Sequence, residues 1–240
     1  MSRGHLYVVF GKEYERAAIA SVRALRKVSA LPVHIITNLR ESEQSHDWRG
    51  LRITFKVLDM VNQQNRSVKT RLDKYTLFDE TLYTDCDTII RSKEFMTAFD
   101  ILQGCDVAFP MHTRKESNDR LATKVYQQSV KAFSPTSPLF VYQGGVCVFK
   151  KNKRTTRFFE LWNFYWSQTQ FRDMPGLMCA VHNVRGVSIG ILPRSFGFDN
   201  SKVIQHFYGW NPPKDGDMPQ FVKDSANEKK MVWQPRKCFR

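Results

Sequence analysis

The chain has 240 residues, 42% of them hydrophobic, enough for one domain with a substantial core, and no run nears the roughly eighteen apolar residues a membrane-crossing helix needs. Its 37 basic and 23 acidic residues leave a formal charge of +14, which predicts an anionic partner (nucleic acid, nucleotide, phosphorylated substrate or acidic lipid) without choosing among them. The five cysteines, Cys86, Cys105, Cys147, Cys179 and Cys238, form no CxxC pair, which argues against a zinc ribbon and predicts reduced, mostly buried thiols in a cytoplasmic protein.

The opening "MSRGHLYVVF" has neither the long apolar core nor the cleavage site of a secretory signal, so none is expected. His5–Phe10 reads as a buried strand ended by Gly11. Ala18, Val22 and Leu25 then recur at helical spacing between Glu13 and Lys27. "LPVHIIT" is a second strand stopping at Asn38, and a third apolar run covers Leu51–Val57. A helix is expected over Ser67–Phe78, with Leu72, Tyr75 and Phe78 inward, before the run "TLYTDCDT". Repeated strand–helix–strand order predicts an α/β fold, a mostly parallel sheet with helices on both faces. In such sheets ligands collect at the carboxyl ends of the strands.

Further along, a helix is expected over Lys93–Leu102 and a strand over Asp106–Pro110. Residues 111–138 read as a partly helical excursion with a mobile loop. "PLFVYQGGVCVFK" is a strand interrupted by Gly144 and Gly145, the mark of a bulge or of backbone approaching a ligand. Phe158, Trp162 and Tyr165 share one face of a helix and read as core. "DMPGLMCAVHN" predicts a short helix and "GVSIGILP" a strand. Residues 215–240 read as a polar, basic tail, closed by Trp233. No internal repeat is visible, and the chain reads as a single domain over 1–240.

"LYTDCDT" sets the functional question, because two acids one residue apart at a buried strand end repel each other unless something settles their charge. A plain strand-end turn, with Asp87 or Thr88 capping the next helix, accounts for one acid only. A phosphatase-like site, with one aspartate as nucleophile and the other as general acid, needs a later acidic pair that the sequence lacks. A divalent ion clamping a diphosphate accounts for both acids and for the basic chain. Hard carboxylate oxygens suit Mn²⁺ or Mg²⁺.

"FDETLYTDCDTII" resembles the "LYLDxDxxv" segment of nucleotide-sugar glycosyltransferases with the GT-A fold, especially glycogenin-like and galactosyltransferase-like members. "YVVFGKEY" is similar to their first strand and loop, "YQGGVCVFK" to their "FNSGVMVF" strand, "RDMPGLMCAVHN" to their "xDQxxLN" helix start, and "VIQHFYG" to their late "iiHfxG" element. The resemblance spans residues 5 to 214. It implies a nucleotide-binding half over 1–92 and a sugar and acceptor half over 93–214.

Carried over residue by residue, it makes Asp85, Asp87 and His206 the metal ligands, with Asp85 also toward the ribose or sugar. Phe10, Gly11, Tyr14 and Asn38 would hold base and ribose. Lys69, better placed than Arg71, would face the diphosphate, as would Gly209 and Lys214. Gln143, where the family has asparagine, and Asp173 would meet the donor sugar or acceptor. Met174 replaces the family's glutamine, and "HFYGWNPPK" delays its lysine by two positions. The implied activity is transfer of a sugar from a nucleoside-diphosphate sugar, UDP-linked and leaning to retention, to an acceptor hydroxyl. Under inversion, Asp173 or Asp199 would be the base. Two other readings stand beside it: a basic nucleic-acid-binding or nucleotidyl-transfer protein, and a catalytically inactive sugar-nucleotide binder.

Overall fold

β1 (Arg3–Val9) runs through the interior of a seven-stranded sheet in the computed structural model, which describes residues 1–61, 64–111, 141–170 and 172–207. The chain leaves it through Gly11 into α1 (Lys12–Val28), with Glu13 and Glu15 in the first turn and Arg26 and Lys27 in the last, complementing the helix dipole. β2 (Val33–Thr37) returns parallel to β1, and β3 (Ile53–Val57) lies parallel beyond it. After the short α2 (Asn65–Lys69), β4 (Glu80–Thr84) pairs parallel on the other side of β1. This is the parallel arrangement that the alternating sequence pattern predicts.

β5 (Thr88–Ile90) then departs, and α3 (Thr97–Ile101) leads to β6 (Val107–Pro110). β7 (Val146–Lys150) inserts antiparallel between β4 and β6, α4 (Lys153–Thr169) and α5 (Asp173–Asn183) follow, and β8 (Ile189–Leu192) adds parallel to β6. The sheet order is β3-β2-β1-β4-β7-β6-β8. A second sheet joins β5, β10 (Ile204–His206) and β9 (Phe196–Phe198), with β10 in the middle.

The main sheet is covered on both faces because its strands alternate two apolar sets. Tyr7 and Val9 pack with Ala18, Val22 and Leu25 of α1 and Phe99 of α3. Leu6 and Val8 face the other way, onto Phe158, Phe159 and Trp162 of α4 and Leu177 of α5. The aromatic stripe of α4 is core, with Tyr165 packed at its margin.

Two expectations change. The helix expected over Ser67–Phe78 is α2 followed by one 3₁₀ turn, Leu72–Lys74, with Leu72 buried and Tyr75 and Phe78 only partly so. Side chains break it: Thr70 Oγ1 donates to Asn163 Oδ1 of α4 at 3.0 Å, and Thr76 Oγ1 accepts from Phe78 N–H at 3.2 Å. The second sheet is the other change, since strands of three residues are too short to show alternation. Residues 112–138 of the expected excursion, the tail and Trp233 lie outside the described residues.

Candidate functional site

The site is built where β4 ends. Thr84, its last residue, is buried, and its hydroxyl meets His5 Nε2 of β1 at 2.9 Å. Beyond it Cys86 turns inward and its thiol donates to the Val8 carbonyl at 3.2 Å. Asp85 and Asp87 share the other side. Asp85 N–H donates to the Gly145 carbonyl at 2.7 Å, and Thr88 Oγ1 donates to the Asp85 carbonyl at 2.8 Å. β5 then pairs antiparallel with β10, placing His206 opposite Thr88, while Phe207 N–H donates to the Asp87 carbonyl at 2.9 Å. That pairing delivers the imidazole to the acids. One ligand atom from each of Asp85, Asp87 and His206 lies within 4.8 Å of the others, and His206 Nε2 is 3.0 Å from Asp87 Oδ1.

Lys69, the last residue of α2, reaches the same cluster. Its nearly buried ammonium lies 2.8 Å from Asp85 Oδ1 and donates to Asp85 Oδ2 at 3.0 Å. It is also 2.9 Å from Asp173 Oδ2 at the start of α5, an ion pair without a well-aligned hydrogen bond. Tyr83, two residues before Asp85 on the same strand face, donates its hydroxyl to Asp85 Oδ1 at 2.5 Å and sets its ring 5.7 Å from the ammonium.

The electrostatics follow from burial and these neighbours. Burial alone would lower the Lys69 pKa, but Asp173 and Asp85 outweigh it and raise it above the ordinary lysine value. Burial would raise Asp173, yet Lys69 and then Arg66 hold it below the usual carboxylate range. Asp87 is likewise lowered, because its pairing with His206 outweighs burial. His206 is drawn above the ordinary histidine value, burial being outweighed by Asp87. The Tyr83 phenol, pushed far up by burial and then by Asp85, stays a donor.

The residues present fit a divalent ion. Asp85 and Asp173 share the Lys69 ammonium while Asp87 faces His206, and a set of carboxylate oxygens with one imidazole suits Mn²⁺ or Mg²⁺. The cradle also excludes side chains. A Cβ on Gly145 would press on His206 Cε1 and come within 2.6 Å of Gln143 Nε2 and 2.7 Å of Asp85 Oδ2. On Gly144 it would sit 3.3 Å from Asp173 Oδ2. The paired glycines therefore mark a close approach of backbone to the site. Gln143 is buried, and its carboxamide oxygen accepts from the N–H groups of Gly145 (2.9 Å) and Val146 (3.1 Å) while its amino group meets His206 Nδ1.

At the strand–helix loop, Phe10 packs its ring into the core with Ile36 and Val68, so it offers a ligand only backbone. Gly11 has φ 86°, a conformation that favours glycine, and its N–H donates to Asn38 Oδ1 at 2.9 Å. Asn38 Nδ2 donates to the Met60 carbonyl at 3.2 Å. Tyr14, in the first turn of α1, is 42% exposed. Its hydroxyl pKa is raised by burial and by nearby Cys86, Asp87 and Asp85. Lys69, and not Arg71, is the basic residue whose charge enters the cluster. Asp199 is exposed after β9, where its carboxylate accepts from Asn200 N–H at 2.9 Å. Gly209 and Lys214 lie outside the described residues.

Sequence reasoning missed Tyr83 and Arg66. Tyr83 could have been found from its i−2 spacing to Asp85, which puts both on one strand face. Arg66, whose charge is felt by Asp173 and Tyr14, lies three residues before Lys69 and so on the same helical face.

No known family's sequence pattern and no curated protein matches the chain. Solved structures do. A galactosyltransferase, LgtC, in complex with donor and acceptor sugar analogues is 13% identical, with 98% of each chain covered and a TM-score of 0.64. The bifunctional glycosyltransferase WbbM, without ligand, is 13% identical over 82% of this chain and 39% of its own, at 0.58. Mouse xyloside xylosyltransferase 1, also without ligand, is 9% identical over 86% of this chain and 98% of its own, at 0.58. The fold is the GT-A fold, a mixed α/β sheet flanked by helices.

Proposed function

We propose that the protein is a metal-dependent glycosyltransferase that moves a sugar from a nucleoside-diphosphate sugar, a UDP-sugar, to an acceptor hydroxyl. The observation that carries this reading is the convergence of Asp85, Asp87 and His206 at the carboxyl end of β4, beside Lys69, in a GT-A fold. Asp85, Asp87 and His206 would hold Mn²⁺ or Mg²⁺. Such an ion, when bound, supplies charge neutralisation to the departing diphosphate.

The chain's own groups supply the rest. Lys69 keeps a fixed positive charge beside the acids, able to attract phosphate oxygens. Tyr14 offers an exposed ring for stacking on the base, and the backbone at Gly11 approaches without a side chain. Asp173 is a weak base, since Lys69 already holds it ionised below the ordinary range. That suits a retaining reaction in which the departing diphosphate, and not a carboxylate, takes the acceptor proton. The four described cysteines are free and buried, in keeping with a reducing cytoplasm.

The first test is thermal unfolding with UDP, with and without Mn²⁺. A ligand at about a hundred times its Kd stabilises by about 2.7 kcal/mol, an upward shift of about 5 to 10 °C in a chain of this size. The shift is expected only with the metal present. Hydrolysis or transfer from a panel of UDP-, GDP- and TDP-sugars then separates a turning-over enzyme from a binder. Salt-steep oligonucleotide binding without any UDP effect would overturn the reading in favour of a nucleic-acid partner.

A further inference from the structure

Asn38, the residue after β2, has both ends of its carboxamide turned to backbone. Its oxygen accepts the Gly11 N–H at 2.9 Å, and its amino group donates to the Met60 carbonyl at 3.2 Å. The opposite orientation would set donor against donor and acceptor against acceptor, so these two contacts fix the amide. One side chain thus ties together the chain leaving three neighbouring parallel strands: β1 at Gly11, β2 at Asn38 itself and β3 at Met60. The tie matters most at Gly11. Its φ of 86° and ψ of 161° lie in a region open to little but glycine, and α1 starts at the next residue. The turn at Gly11 therefore sets where the first turn of α1 carries Tyr14. The rest of the β2–β3 loop has an anchor of its own, since the buried Glu15 carboxylate accepts Ser45 N–H at 2.7 Å and Trp48 Nε1–H at 2.9 Å.

Resting on the nucleotide-sugar reading above, we propose that Asn38 is a positioning residue for the base. It does not read the base edge but holds the Gly11 turn, and through it Tyr14, where a base would stack. The two roles differ in what they do to specificity. A side chain that reads a base edge discriminates among bases, because the wrong base leaves its donor or acceptor unpaired. A side chain that only places the stacking ring acts on every base alike, because each offers a π-face. The diphosphate would be held at the end of β4 by the metal ligands and Lys69, so its affinity is independent of Asn38. Glu15 keeps the loop in place without Asn38, so the variants below should fold with thermal stability near wild type.

Calorimetry with UDP, CDP, GDP and pyrophosphate, each in the presence of Mn²⁺, tests the placement without any assay of turnover. Asn38→Ala should weaken all three nucleotides about tenfold, for the loss of two hydrogen bonds, and leave pyrophosphate close to wild type. The order of preference among the bases should stay that of wild type. Asn38→Asp keeps the acceptor for Gly11 and loses the donor for Met60. Its ratio of UDP to pyrophosphate affinity should fall between those of wild type and Asn38→Ala. Adding Asn38→Ala to Tyr14→Ala should weaken UDP no further than Tyr14→Ala alone, because the first acts through the second. A changed order of base preference makes Asn38 a reader and overturns the proposal. So does an equal loss of pyrophosphate, or additive losses in the double variant. UDP binding by Asn38→Ala equal to that of wild type overturns the placement and leaves the nucleotide-sugar reading standing, whereas a wild type that binds no nucleotide overturns both.

Discussion

At the scale of single residues, the site consists of charges that need one another. On the proposed reading, Asp87→Ala should cut turnover on the order of 10²- to 10³-fold while leaving thermal stability close to wild type, because this acid would serve the ion and not the core. Unchanged activity would remove the metal from the mechanism. His206→Ala should weaken Mn²⁺ binding by about tenfold or more, again with a retained fold. Lys69→Met leaves Asp85 and Asp173 without their shared cation, and denaturant unfolding should register a loss of about 3 kcal/mol, part of which Mn²⁺ restores. The acids were legible in the sequence because a doublet at a strand end raises a charge problem that any reader can see. Gly145 was legible too, since glycine inside a strand asks what approaches it. The direction of the Gln143 amide was not, because it depends on two backbone N–H groups and a ring sixty-three residues away.

At the scale of elements, periodicity served where segments were long. The stripe of α1 and the aromatic face of α4 were readable because many side chains repeat the same spacing. The helix over Ser67–Phe78 failed because the Thr70 hydroxyl reaches Asn163 of α4 and the Thr76 hydroxyl turns to the Phe78 N–H, contacts that helical periodicity does not contain. β1 and β4 share a buried polar pair, His5 with Thr84, and this gives a pH test. Burial, helped by Arg26, lowers the His5 pKa to about 3. His5 is therefore neutral in the folded state, while the unfolded chain protonates it below about 6.5. Stability from this group is complete above that value and drains away as pH falls toward 3. The loss between neutrality and pH 5 should be about 2 kcal/mol, and His5→Gln should flatten that limb of the stability profile. In the second sheet, Ile204→Ala, at a fully buried position, should cost about 2 to 5 kcal/mol and weaken Mn²⁺ binding by disturbing β10.

For the whole molecule, fold and charge carry different information. The parallel half of the sheet, β3-β2-β1-β4, was legible from alternating strands and helices, but the antiparallel insertion of β7 was not, since its pairing is settled by contacts far apart in sequence. The charge of +14 speaks to encounter with an anion, so if the proposed UDP-sugar donor is right, the rate of its capture should fall as ionic strength rises while the bound geometry stays the same. Among the described residues, no helix is long and apolar enough to cross a membrane. The small sheet of β5, β10 and β9 has a consequence in time. On the proposed metal reading, Asp85 and Asp87 leave the ribosome about 120 residues before His206, so a growing polypeptide would lack the full ligand set until almost all of the described chain has emerged. A truncated product ending before Ile204 should then bind Mn²⁺ far more weakly however well its first strands assemble, which would make the cation a seal applied late in synthesis.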